Sequence, residues 1–414
     1  MMSPEDHVRR AFAEELPRVL GARFEPRRGQ VDMACDVAAA LDADGVAVIE
    51  AGTGLGKSLA YLVPLVLHAE RHGVRAVVST HTRNLQRQLA ESDVPAACAV
   101  ARVSLDAAVL MGRSSYGCRR AVARALAHGE GDARAGFLRA LLAHPSGDLE
   151  VVTDASLHLD ARARAALAAP AREAACAGCA ERPACFLFAA RRRALEARVV
   201  IVNHALLLAN VAALGTLLGP YDACVLDEAH HLEDAATSFH TLSFSPAAIR
   251  GADDGICAAE HEEHAAYARA KAAETSAAAV AEIDAAWEAL LGGVRAAEAH
   301  ARDAFVALSA NARRLVGASG RRDGAERALV YAEGAPLLYG AQEAAAVAVA
   351  AMGRVAQAAG RIEAVARDCE ALEAAGTPGI FRAVREAAVE TADTLAFLTA
   401  GRGEDHVFYA RLDE

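Results

Sequence analysis

The run Ala51-Gly-Thr-Gly-Leu-Gly-Lys-Ser58 constrains this chain more than any other feature. It follows an apolar stretch, Val46-Ala-Val-Ile-Glu50, that reads as a short strand, and it opens a helix-patterned segment over residues 58–70. A glycine-rich turn between a strand and a helix offers backbone N–H groups to phosphate, and the helix N-terminus adds the positive end of its dipole. Gly52, Thr53, Gly54, Leu55 and Gly56 form the cradle in this reading. Lys57 reaches the β- and γ-phosphates, and the Ser58 hydroxyl ligates Mg²⁺. Such a turn needs a strand before it and a helix after it, so it commits this part of the chain to α/β architecture.

The second half of a nucleotide site is an acidic pair at the end of an apolar strand, and Val225-Leu226-Asp227-Glu228-Ala229-His230 provides it. Asp227 is suited to hold Mg²⁺ and Glu228 to position the attacking water. An Asp-Glu pair alone is commonplace at a helix start, where carboxylates favour the dipole. In company with the glycine loop it makes ATP the expected nucleotide and Lys57, Asp227 and Glu228 the expected catalytic group.

Around these motifs the chain alternates strands and helices. Residues 74–79 and 199–202 read as strands, residues 82–90 as a helix, and residues 223–227 as the strand carrying the acidic pair. Alternation of this kind implies a parallel sheet with right-handed crossovers. From about residue 244 to 399 the sequence is alanine-rich and helical, with a glycine-containing break at Gly317–Gly324, and it is long enough for a helical domain of its own. Asp405-His-Val-Phe-Tyr-Ala-Arg-Leu412 reads as a strand that rejoins the sheet. The 414 residues leave room for about two to three domains.

The net charge of −11 argues against wholesale coating of nucleic acid, although binding follows a local basic track rather than the sum. The first fifteen residues are charged throughout and carry no apolar core of a signal peptide. No uninterrupted run of 18 apolar residues occurs; the nearest, residues 199–218, contains Asn203, His204 and Asn210. A reducing, cytoplasmic setting is expected, in which thiols are free for metal.

Four of the nine cysteines, Cys118, Cys176, Cys179 and Cys185, form the pattern C-x57-C-x2-C-x5-C. Thiolates so spaced can close around one metal centre, and spacing alone divides between zinc and an iron–sulfur cluster. Cys35, Cys98, Cys224, Cys257 and Cys369 stand singly and read as small buried apolar residues.

With these pieces in order, the chain resembles the DinG/XPD family of iron–sulfur superfamily 2 DNA helicases, and within it bacterial DinG. The variant Ala-x-x-Gly-x-Gly-Lys-Ser is a feature of superfamily 2. Phe24-Glu-Pro-Arg-Arg-Gly-Gln30 is similar to the adenine-recognising Q motif, with Arg27 and Gln30 as the contacts. Ser79-Thr-His-Thr-Arg-Asn-Leu-Gln-Arg-Gln-Leu89 resembles motif Ia, which implies DNA contacts from Thr80, Thr82, Arg83 and Arg87. Met111-Gly-Arg-Ser-Ser-Tyr-Gly-Cys118 resembles the segment carrying the first cluster cysteine, residues 197–208 the segment before motif II, and residues 227–230 the DEAH box.

The resemblance implies a [4Fe–4S] cluster on Cys118, Cys176, Cys179 and Cys185. It also implies a RecA-like parallel sheet (residues 1–110 and 196–243, with a return strand at 401–414). An iron–sulfur insertion would occupy residues 111–195 and a helical Arch-like domain residues 244–400. Single-stranded or forked DNA would run in a channel between the insertions, with Arg119, Arg120, Arg191, Arg192 and Arg193 as further phosphate contacts. The activity implied is ATP-dependent 5′-to-3′ unwinding by a monomer in DNA repair or replication.

The family motor has a second RecA-like half that supplies a Ser-Ala-Thr motif and arginine fingers. No Ser-Ala-Thr occurs here, and the expectation is a chain truncated before that half, or one whose second half is separately encoded. Arginine fingers are worth roughly 10³–10⁵ in rate, so the chain alone is expected to bind ATP weakly and turn it over slowly. Gln357-Ala-Ala-Gly360-Arg361 imitates motif VI, but Ala364 stands where its second arginine belongs. His261-Glu-Glu-His264 lacks the histidine spacing of a zinc protease. Two other readings compete with the helicase: a stand-alone iron–sulfur protein that binds single-stranded DNA and nucleotide without turnover, and a zinc-bound P-loop regulator.

Overall fold

The computed structural model describes residues 3–127, 132–150, 161–170, 172–245, 249, 260–274, 276–318, 327–403 and 405–412. Cys257, the side chains of His261 and Glu262, and most of the Gly317–Gly324 break lie outside them. The chain divides into two compact units: Met1–Gly112 with Phe186–Thr241, and Arg113–Cys185 with Leu242–Glu414. Among the described residues no helix is long and apolar enough to cross a membrane.

The first unit is α/β. Its helices include α1 (Arg28–Asp42), α2 (Lys57–His72), α3 (Arg83–Gln88), α4 (Phe186–Glu196) and α5 (His204–Ala212). Its sheet holds β1 (Ala76–Thr80), β2 (Ala107–Val109), β3 (Val199–Asn203) and β4 (Ala223–Leu226) in the order β2-β3-β1-β4, all parallel. Ala76, Val77 and Val78 of β1 and Val199 to Val202 of β3 are apolar and wholly buried, as strands covered on both faces should be. One partly buried arginine ties the base of this sheet together. Arg75 donates from its guanidinium to the carbonyls of Ala194, Ala197, Leu218 and Pro220, at 2.6 to 3.1 Å.

Two expected strands behave differently. Residues 46–50 adopt no ladder: Val46 is 94% exposed and Val48 97%, and β4 forms an edge of the sheet. The C-terminal strand does not rejoin the parallel sheet. It forms β6 (Phe408–Leu412) and pairs antiparallel with β5 (Arg327–Tyr331) in the second unit, where Tyr331 and Phe408 meet with ring centroids 5.7 Å apart. Alternation at residues 408–412 is enough to specify a strand but leaves its partner open.

The second unit is dominated by three long helices, α6 (Ala277–Ala318), α7 (Ala341–Arg367) and α8 (Thr377–Ala400). Buried residues recur every three or four positions along each: Ile283, Trp287, Leu290 and Val294 on α6, Ala348, Met352, Val355 and Ile362 on α7, Phe381, Val384, Ala388 and Leu395 on α8. This is the spacing of one apolar helix face. Alanine at many seam positions is why a region so poor in large residues packs into one core.

Polar anchors fix the register. Glu363 on α7, its side chain 4% exposed, accepts from Arg382 Nε at 2.9 Å and Arg385 Nε at 3.0 Å on α8, and pairs with Arg367. Burial would raise this carboxyl, but Arg382 and Arg385 hold it below the usual range. The motif VI imitation lies inside α7, and its Gly360 leaves room for the stem of Arg385, consistent with a packing role.

Asn311 on α6 donates to the carbonyls of Leu337 and Tyr339 at 3.0 and 2.8 Å. Asn311→Ala strands two carbonyls and is expected to cost about 1–3 kcal/mol in urea unfolding. No loss of stability would show that water satisfies them.

Candidate nucleotide site

The glycine loop ends where Gly56, at φ +86°, caps α2 in the left-handed region. Gln30 on α1 donates through Nε2 to the Gly56 carbonyl at 2.9 Å, and a Cβ on Gly56 would run into that amide. Gly56 is therefore demanded twice, by its backbone angle and by its neighbour. Arg27 lies beside the same glycine and is paired with Glu25 at 2.6 Å. Both residues expected at adenine thus stand against the phosphate loop, with Gln30 buried and its amide bonded to the loop.

Lys57 opens α2, and its Nζ lies 2.7 Å from Glu228 Oε1, so the two expected halves of the site meet directly. Asp227 follows β4, and its backbone N–H donates to Ser79 O at 2.8 Å. Its carboxylate accepts from Thr80 Oγ1 at 3.2 Å. Burial pushes the Asp227 carboxyl up, against the hydrogen bond from Thr80, while the hydrogen bond from Lys57 holds Glu228 down. A desolvated carboxylate gains from a nearby cation, so Asp227 with the Ser58 hydroxyl is chemically suited to Mg²⁺. Glu228 stays ionised, as a group that orients water must.

Sequence reasoning missed several neighbours of this pair. The Tyr61 hydroxyl is buried beside Asp227 and Ser58, and burial raises its phenol. His204 is buried with Nδ1 2.8 Å from Ser79 Oγ. His81 and His231 stack at 3.9 Å, and His230 lies 3.5 Å from Glu228 Oε2. The signal was available: β1, β3 and β4 are each followed within a few residues by histidine, and parallel strands bring their carboxyl ends together.

The expected DNA contacts divide. Thr80 is wholly buried, and its hydroxyl donates to Asp227. Thr82 is exposed and caps α3 by accepting from Leu85 N. Arg83 and Arg87 lie on α3 and are partly buried. Arg119 and Arg120, in the second unit, donate to the carbonyls of Leu142 and Ala175. Arg191, Arg192 and Arg193 lie on α4, with Arg191 5.8 Å from the Phe188 ring centre.

All four motif cysteines belong to the second unit. Cys176 is buried, while Cys118, Cys179 and Cys185 are half-buried. Arg113 Nη2 approaches Cys176 Sγ at 3.4 Å, and backbone turns run from Cys179 N to Cys176 O and from Cys185 N to Arg182 O. Among the described residues no group of three or more His, Cys, Asp or Glu side chains is arranged to hold a metal ion. Of the remaining cysteines, Cys35 and Cys98 are buried as expected, whereas Cys224 on edge strand β4 is exposed.

A glycine loop capping a helix, joined through Lys57 to an acidic pair at the end of a parallel strand, is the arrangement expected of a P-loop nucleotide site. Residues 34–115 match the DEAD/DEAH box helicase family. The chain is 33% identical over 230 residues to the ATP-dependent DNA helicase YoaA of Escherichia coli, covering 54% of this chain and 36% of that protein. It is 34% identical over 249 residues to the ATP-dependent helicase DinG of Mycobacterium tuberculosis (54% and 37%), and 32% over 253 residues to the ATP-dependent DNA helicase DinG of E. coli (55% and 34%). Over about half its length the chain is similar in sequence to these YoaA and DinG helicases. The matched stretch spans about a third of the length of these curated relatives.

Proposed function

We propose that this chain provides the ATP-binding wall of a DinG-like DNA helicase, which couples ATP hydrolysis to 5′-to-3′ movement on single-stranded DNA. The observation that carries the reading is the 2.7 Å approach of Lys57 to Glu228, which joins phosphate loop and DEAH box in one site. Arg27 and Gln30 serve the adenine end, the loop from Gly52 to Gly56 and Lys57 the phosphates, Ser58 and Asp227 the Mg²⁺, and Glu228 the attacking water. Thr82, Arg83 and Arg87 are the DNA-facing residues, on the segment that leaves β1.

In the same reading residues 111–195 form an iron–sulfur insertion and residues 244–400, which include α6 to α8, a helical Arch-like domain. Cys118, Cys176, Cys179 and Cys185 would hold a [4Fe–4S] cluster; in this structure burial pushes the Cys176 thiol up, against the Arg113 guanidinium beside it. Bound, the cluster would cross-link the segment covalently at four points.

The test is ATP hydrolysis by the protein supplied with a second RecA-like half, with and without single-stranded DNA, together with visible absorption of anaerobically purified material. Stimulation by DNA of about tenfold or more and absorption in the iron–sulfur charge-transfer region are expected. A colourless zinc protein would remove the cluster, and nucleotide binding without DNA-stimulated turnover would remove the helicase.

A further inference from the structure

His204 has half of its hydrogen-bonding capacity unused. It begins α5 directly after β3 and is 1% exposed. Its Nδ1 is engaged with Ser79 Oγ at 2.8 Å, whereas Nε2 is buried with no hydrogen-bond partner. The ring is also within reach of the backbone of Glu228 and Asp227. The sheet explains the meeting: Ser79 of β1 is in register with Val202 of β3 on one side and Leu226 of β4 on the other. His204 and Asp227, just past those partners, therefore converge on the end of β1.

A buried nitrogen left unpaired is costly, so its placement calls for a partner. The turn beside it is itself strained, because Glu228 sits at φ +55°. A non-glycine residue persists there only where its surroundings hold it.

We propose that His204 is a positioning residue for ATP hydrolysis: Ser79 anchors its Nδ1, and its Nε2–H is held for a backbone carbonyl of the Asp227–Glu228 turn, fixing the turn that aims the Glu228 carboxylate. This rests on the ATP-hydrolysing reading above. The tautomer follows from the partners. A carbonyl only accepts, so Nε2 carries the hydrogen, Nδ1 is the acceptor, and the Ser79 hydroxyl donates. One donor and one acceptor is the pattern of a single ring tautomer. Because Ser79 lies three residues before Thr82, the same imidazole joins the segment proposed to meet DNA to the catalytic carboxylate.

Three variants separate this role from mere packing. In Gln the side-chain amide reaches the place of Nε2; in Asn it reaches only the place of Nδ1; Ala reaches neither. With saturating single-stranded DNA, His204→Ala and His204→Asn are expected to lower kcat for ATP by about 10- to 100-fold, the range seen when an outer-shell partner is removed. KM should stay nearly unchanged, and His204→Gln should recover most of kcat. Equal losses in Gln and Asn, or a loss confined to KM, overturn the proposal.

A second readout needs no turnover. The ¹⁵N shifts of the His204 imidazole should report a hydrogen on Nε2; protonation at Nδ1 alone overturns the proposal. If the wild-type protein fails to hydrolyse ATP, the function proposed above falls, while the imidazole shifts still decide the role of His204.

Discussion

Lys57→Ala is expected to lower ATP hydrolysis by at least about 10²-fold, the order by which loss of one fixed donor to developing charge slows a reaction. The side chain is the cation of the phosphate loop and sits at the first residue of α2, where the helix dipole already favours anions. Its present partner adds a second, less obvious result. Lys57 is held on Glu228 at 2.7 Å, with both side chains about 30% exposed, so a triphosphate must draw the ammonium away from that carboxylate. Glu228→Gln should therefore abolish hydrolysis yet tighten nucleotide binding, by up to about fivefold, the worth of a partly exposed ion pair. Fluorescent-nucleotide titration alongside an ATPase assay separates the two variants. Weaker binding in Glu228→Gln would mean that the carboxylate helps to seat the nucleotide instead of competing for Lys57.

The second large effect lies in the other unit. Gly178, between Cys176 and Cys179, stands at φ +65°, and a Cβ there would meet the Glu373 carbonyl and lie 2.9 Å from Gly376 Cα. Gly376, at φ +71°, faces back: its Cβ would come within 2.6 Å of the Ala177 carbonyl. Two glycines in mutual backbone contact thus seat the cysteine-bearing turn against the start of α8. Gly178→Val combines a forbidden backbone angle with a backbone clash and should cost about 2–5 kcal/mol. Cys176 should become more reactive to alkylation at the same time. Gly292, inside α6, has open space where a methyl group would stand, with nothing within 4 Å, and Gly292→Ala should be neutral or stabilise by roughly 0.5–1 kcal/mol. Equal stability of Gly178→Val and wild type would show that the turn detaches from α8 without loss.

The loop and the acidic pair of the candidate site were legible because their information is local. Residues 51–58 specify a turn through glycine positions and a helix start, and residues 225–228 specify a strand ending in two carboxylates. What the sequence left open was pairing over distance. Phe408–Leu412 is recognisably a strand, but the choice of β5 over the parallel sheet depends on contacts made about eighty residues away. The buried role of Thr80 was hidden for a related reason, since its place beside Asp227 follows from the register of β1 with β4. Single histidines carry little signal one at a time, so His204 emerged only when three strand ends were set side by side. The helical unit was legible as helix, yet nothing in its alanine-rich periodicity singled out Glu363 as the carboxylate that receives three arginines.

The open flank of the parallel sheet has a practical consequence for the chain in concentrated solution. Val46 and Val48 present apolar, extended backbone to water, and β4 offers an unpaired edge with Cys224 exposed on it. Extended apolar segments and free strand edges are the surfaces on which chains add to one another, and no charged residue interrupts Val46-Ala-Val-Ile49 to discourage it. Self-association that begins there would crowd the candidate nucleotide site, so low protein concentration protects it. Cys224 adds little to that risk, because burial pushes its thiol up to about 11 and leaves little thiolate to oxidise.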